Sequence, residues 1–104
     1  MLVTKPKYTA GDIITIKIVN GDEIVAKYVS NDDKGFIVTK PMTVIPSQNG
    51  FTLVPSLFTV EPGPDMPVEF QHVMLHGPTT EKMVDYYVER TSPIQQIKRG
   101  SIIV

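Results

Sequence analysis

The chain is 104 residues long, 41% hydrophobic and 20% charged, with ten Lys and Arg against eleven Asp and Glu. That length predicts a single domain over residues 1–104. The net charge of −1 excludes a strongly basic nucleic-acid binder and leaves any phosphate affinity to a local patch, while the absence of cysteine excludes a disulfide framework, a thiolate zinc site and a cysteine nucleophile.

In chain order, "IITIKIV" at residues 13–19 alternates Ile14, Ile16 and Ile18 with Thr15 and Lys17, the period of two of a half-buried strand. Asn20-Gly21 predicts a tight type I′ turn, in which both central residues take positive φ. "EIVAKYV" at 23–29 returns as a second strand, with Ile24, Ala26 and Tyr28 opposed to Val25, Lys27 and Val29. "SNDDKG" is a further turn, built from residues whose short side chains bond nearby backbone or tolerate the left-handed region. A third strand is predicted from Phe36 to about Ile45. Pro41 inside it has no N–H to donate and belongs at an edge or a bulge.

A turn at Gln48 to Gly50 leads to an apolar fourth strand over about Phe51 to Val60, interrupted at Pro55. The acidic "EPGPDMP" breaks the chain, and "VEFQHVMLH" supplies a fifth strand from Val68 to His76. Five short strands over about residues 10–77 predict a small closed barrel, since closure removes exposed edges. After Gly77-Pro78 the period changes. Met83 with Tyr87 and Val84 with Val88 stand four apart, predicting a helix over about 79–92. Thr79 or Thr80 can cap it, with Glu81 favourable in its first turn and Arg90 in its last. Pro93 stops it, and residues 93–104, "PIQQIKRGSIIV", form either a flexible tail or an added strand.

No apolar run reaches the roughly twenty residues of a bilayer span. "MLVTKPKYTAGD" has no apolar stretch leading to a cleavage site, so a cytoplasmic location is expected, the host-cell cytoplasm if a phage encodes the chain. Candidate chemistry is sparse. His72 and His76 on one strand would share a face roughly 13 Å apart, too far to hold one metal ion. The pairs Asp22-Glu23 and Asp32-Asp33 lie in turns, where solvated carboxylates are usual. Tyr86 and Tyr87 read as packing residues, and Met66, Met74 and Met83 as adaptable fillers. No catalytic triad, phosphate-binding loop or glycine-rich fingerprint is present. Neither catalysis nor a cofactor or metal is expected.

Gly21, Ile24, Ala26, Tyr28 and Asp32 fall on the spacing G-x-x-V-x-G-x-L-x-x-x-D, which resembles the first sequence motif of the Sm and Sm-like (Hfq-related) proteins. The order "IVNGDEIVAKY", "TKPMTVIP", "HVML" and "EKMVDYY" is similar to small Sm-like proteins of tailed phages, cyanophages among them. The resemblance implies a mainly β fold: an Sm-like (SH3-type), strongly bent five-stranded antiparallel barrel with a C-terminal α-helix. It also implies a homo-oligomeric ring of about five to seven subunits, closed by pairing the fourth strand of one copy with the fifth of the next. Leu53, Phe58, His72, Val73, Met74 and Leu75 would then lie at the interface.

Single-stranded RNA is the partner the resemblance suggests, with Asp32, Lys34, Phe36 and Lys27 as the binding residues and Lys40 beside them, although Phe36, at a strand start, reads more as a core residue than as a stacking platform. There are two departures from the family. Asp32 is followed by "DKGF" without the family's Asn, and the loop before the fifth strand is acidic where Arg-Gly is the family pattern. "IKRG" stands instead at residues 97–100. A ring that has lost the base pocket and serves as a scaffold or protein-interaction module is the alternative.

Overall fold

The computed structural model describes residues 7–61 and 63–91. Strands β1 (Ile13–Ile18), β2 (Glu23–Asn31), β3 (Gly35–Ser47), β4 (Gly50–Pro55), β5 (Met66–Glu69) and β6 (Val73–Pro78) are followed by helix α1 (Glu81–Thr91). The fold is mainly β and antiparallel, in the order β4-β3-β2-β1-β6, with β5 also on β3.

The first hairpin forms where Asn20-Gly21 predicts it, with a different turn. Ile14 lies opposite Ala26 and Ile16 opposite Ile24. Gly21 takes positive φ, at 96°, and Asn20 does not. The Gly21 N–H donates to the Ile18 carbonyl (2.8 Å), and the Ile18 N–H donates to that of Asp22 (3.0 Å). Gly21 is thus the extra residue of a bulged turn, and the Asn20 side chain accepts the Asp22 N–H (2.9 Å) instead of entering the left-handed region.

β3 is long enough to serve two partners on one edge. Its start, Gly35 to Val38, pairs with β5, and its end, Met42 to Ser47, pairs with β4. Between them the strand bends where Pro41 predicts a bulge. Val25 pairs with Met42 and Lys27 with Thr39, so Lys40 and Pro41 together face Ala26. Lys40 absorbs the kink at φ 51°, and the Pro41 carbonyl accepts the Ser56 N–H (3.0 Å).

Two expectations are corrected here. The sheet is open and has six strands, so it is not a closed five-stranded barrel. The expected fifth strand, Val68 to His76, is cut by a 3-10 turn at Phe70–His72 into β5 on β3 and β6 on β1. Phe70 causes the break. Its ring turns inward to meet Phe36 edge-on at 5.0 Å, and its N–H donates to the Lys34 carbonyl (2.8 Å). The fourth strand also ends early, at Pro55, because Ser56 turns to bond Pro41 and leaves Leu57 to Val60 outside any strand.

Both faces of the sheet carry a core. On the concave face Ile14, Ile16, Ala26, Tyr28, Phe36 and Val38 are buried, with Tyr8, Val68, Phe70 and Val73 packed against them. On the other face Val25, Met42, Leu53 and Tyr87 form a second cluster, flanked by Ile13, Val44, Met83 and Tyr86. α1 supplies that cover. This explains why Val25, on the face opposite Ala26, is also apolar.

Thr80 is the helix cap: its carbonyl accepts the Val84 N–H (2.8 Å), and its hydroxyl lies 3.4 Å from the Met83 nitrogen. Thr79 instead extends the sheet, bonding the Thr15 hydroxyl (2.8 Å) and the Ile13 carbonyl (3.2 Å). Among the described residues no helix is long and apolar enough to cross a membrane. The expected tail at 93–104, with its "IKRG", lies outside the described residues.

Candidate functional site

The loop after β2 is built by Asp32. Its carboxylate accepts the Lys34 N–H (2.8 Å) and the Gly35 N–H (3.0 Å), and its own N–H donates to the Gly35 carbonyl (3.0 Å). Those backbone donors, that of Lys34 first, hold the carboxyl below its ordinary range, with the Lys34 charge helping. Asp32 therefore shapes a turn that projects Lys34 into solvent. Gly35 is buried where β3 passes β5: a Cβ would lie 2.8 Å from the Glu69 Cα, 2.9 Å from the Val68 carbonyl carbon and closer still to the Val68 oxygen. Only a glycine fits there.

Phe36 has no exposed surface. Its ring meets Phe70 and His76 at 5.0 Å each, Tyr8 at 6.1 Å and Tyr28 at 6.2 Å, mostly edge to face. Such geometry suits the ring quadrupoles and spends every face of Phe36 on the core. Phe36 is therefore a core residue and not a stacking platform. Lys27 is exposed on β2, four residues before Asn31 and so roughly 13 Å along the strand from the loop. Lys40 sits in the β3 bulge. The structure brings Asp32 and Lys34 together and leaves Lys27 and Lys40 apart from them.

The expected interface residues divide likewise. Leu53 is fully buried beneath α1 and presents no surface to a partner, and Val73 is half-buried against the first core cluster. Phe58 is 79% exposed beyond the end of β4. His72 lies in the 3-10 turn, its carbonyl accepting the Val19 N–H (2.9 Å). Met74 and Leu75 are exposed on β6, where Met74 is the bulged residue between the pairs Lys17–Leu75 and Ile18–Val73.

Exposed apolar residues that the sequence reading missed are Phe51 at the start of β4, Val19 beside β6, and Leu57 and Val60 after β4. Strand ends were the available signal, since an apolar residue just inside a terminus has little sheet to cover it. His76, expected to be an ordinary strand residue, accepts or shares a hydrogen bond with the Tyr8 hydroxyl (2.7 Å) on the rim of the aromatic cluster. Burial there pushes the Tyr8 hydroxyl up from its usual value. Among the described residues no group of three metal-ligating side chains occurs.

Among the described residues, three strands have one edge without a partner strand. β5 is blunted by its four-residue length and by Pro67, which cannot donate to a ladder. β4 and β6 are six residues each, with proline only at their last positions. On β4 the Arg90 guanidinium takes the Leu53 carbonyl (3.0 Å) and lies 5.7 Å over the Tyr86 ring, which leaves the Gly50–Thr52 end for a partner. These two edges terminate one strand path at opposite ends. Near the end of β4, a groove of about 390 Å³ runs between the β3 bulge, Leu57 to Glu61 and the end of α1. Comparison with models of protein families and with curated proteins finds no match to this chain.

Proposed function

We propose that this chain is an Sm-like subunit that pairs edge to edge with copies of itself and serves as a non-catalytic binding scaffold. The observation that carries the proposal is a pair of edges, on β4 and β6, that have no partner strand among the described residues, lie at the two ends of one strand path and are flanked by exposed Phe51, Met74 and Leu75. Two different edges make a head-to-tail contact, and head-to-tail contacts close into a ring when the rotation between subunits permits. The bent β3, and β5 and β6 joined through a single 3-10 turn, support the Sm-like (SH3-type) reading of the fold.

A scaffold agrees better with the loop after β2 than an RNA base pocket does. Phe36 is spent on the core, and the Asp32 carboxylate faces the loop's own N–H groups. Single-stranded RNA is the second reading, favoured by the exposed Lys34 at the loop tip and Lys27 on β2. In such a ring these lysines recur once per subunit and supply a phosphate track that one chain lacks.

A native mass spectrum of the purified protein, recorded with and without a pool of short A-rich and U-rich RNAs, tests both. A closed oligomer of unchanged mass in RNA supports the scaffold, and an oligomer that gains RNA mass supports the second reading. A monomer under both conditions overturns the proposal.

A further inference from the structure

The groove beside the β3 bulge has no part in the assembly proposed above. It is lined by Pro41 and Met42 of β3, by Leu57, Phe58 and Val60, and by Thr91, the last residue of α1. Leu57 is 49% exposed, Phe58 79% and Val60 43%. Three large apolar side chains within four positions, all open to solvent, make the kind of contiguous patch that marks an interaction site.

We propose that this groove is the docking site of the chain's own C-terminal segment, residues 94–104. Thr91 lines the groove and is the last residue of α1, so the residues that follow it in the sequence begin beside the site. A ligand tethered by so short a connection has an effective concentration in the millimolar range, well above that of a free second copy. The segment reads "IQQIKRGSIIV", in which Ile94, Ile97, Ile102, Ile103 and Val104 are apolar anchors for the apolar part of a groove whose charged lining is Lys40, Glu61 and Arg90. A cavity of about 150 Å³ holds one benzene, so a groove of about 390 Å³ accommodates roughly two branched aliphatic side chains. The docking needs no pairing of β4 with β6, so it stands or falls separately from the assembly proposed above.

The absence of native cysteine makes a direct test available. In the full chain, Leu57→Cys is combined in turn with Ile94→Cys, Ile97→Cys and Ile102→Cys, and each protein is oxidised gently as a mixture of isotope-labelled and unlabelled chains. Peptide mapping then separates links within a chain from links between chains. At least one pair is expected to close within a chain, in about tenfold higher yield than the same tail cysteines combined with Asp22→Cys in the exposed β1–β2 turn. Links between labelled and unlabelled chains would assign the groove to a second copy, and yields equal to the Asp22 controls would leave it to another partner; either result overturns the proposal. As an independent readout, a chain ending at Ser92 is expected to bind severalfold more of an apolar fluorescent dye with unchanged circular dichroism. No increase in dye binding also overturns it.

Discussion

Gly35 is the residue at which one added atom decides whether β3 and β5 can meet. The atoms a Cβ would strike are the backbone of Val68 and Glu69, which cannot rotate aside. Gly35→Ala is expected to destabilise the fold by about 1–3 kcal/mol, read as a lower urea midpoint with an unchanged slope. The sequence gives no sign of this requirement, because "SNDDKG" reads as a turn with or without it, and the crowding comes from a strand far along the chain. Asp32 was more legible. An Asp ahead of Lys-Gly in a turn suggests a side chain bonding local N–H groups, and the structure has that arrangement. Because the folded carboxyl sits below its ordinary value of 3.8, the unfolded chain takes up this proton first. The stabilisation is therefore present above about pH 3.8 and is lost as pH falls through the lower folded value. Asp32→Ala should melt below the wild type near neutral pH, and the gap should close in acid. A gap that persists at the lowest pH would contradict the capping role.

At the scale of elements, α1 separates what periodicity can decide from what it cannot. Both Met83/Tyr87 and Val84/Val88 fit a helical stripe, yet Tyr87 is buried and Val88 is 50% exposed. The sheet-facing side of the helix continues through half-buried Tyr86, whose hydroxyl pairs with that of Thr52 (3.0 Å), and exposed Arg90, whose guanidinium reaches the Leu53 carbonyl (3.0 Å), both at helical spacing from Met83. The side chain of Tyr87 reaches through the second core, and its hydroxyl donates to the Lys40 carbonyl in the β3 bulge (2.7 Å). Tyr87→Asp buries an unpaired charge and should cost at least about 3 kcal/mol, whereas Val88→Asp should stay within about 0.5 kcal/mol. Chemical denaturation of the two variants checks the facing of the helix. Tyr87→Phe leaves the Lys40 carbonyl short of a donor and should cost about 1 kcal/mol. Burial pushes the Tyr87 hydroxyl well above its usual value of 10.0, so the unfolded chain ionises first. Stability is then full below about pH 10 and declines as pH rises beyond it. The Tyr87→Phe protein should lack that part of the alkaline decline, and identical alkaline profiles would contradict it. The expected strand from Val68 to His76 failed for a related reason: alternation shows which residues are apolar, and only Phe36 decides that Phe70 turns in.

At the scale of the whole molecule, the first hairpin, the bend at Pro41 and the terminal helix were legible, because each rests on local chemistry: Asn-Gly, a missing N–H, a change of period. Closure was not, since whether strand ends meet depends on accumulated twist and on the 3-10 turn that carries the chain from β3's edge to β1's. The candidate site was legible only in part. Lys34, Lys27, Met74 and Leu75 are exposed, while Phe36 and Leu53 are taken by the two cores. What the open sheet leaves is a pair of unlike edges, and the proposed assembly is their mutual satisfaction. A charge on an edge opposes pairing without disturbing a residue that is already exposed. Phe51→Lys, at a position 62% exposed, should therefore disrupt assembly while leaving the chain's own fold intact by circular dichroism.

Sedimentation velocity of the wild type beside Phe51→Lys tests the central claim most directly. The account predicts a single closed oligomer for the wild type and a shift toward monomer for the variant. A wild type that sediments as a monomer, or an oligomer that the added charge leaves untouched, would contradict it.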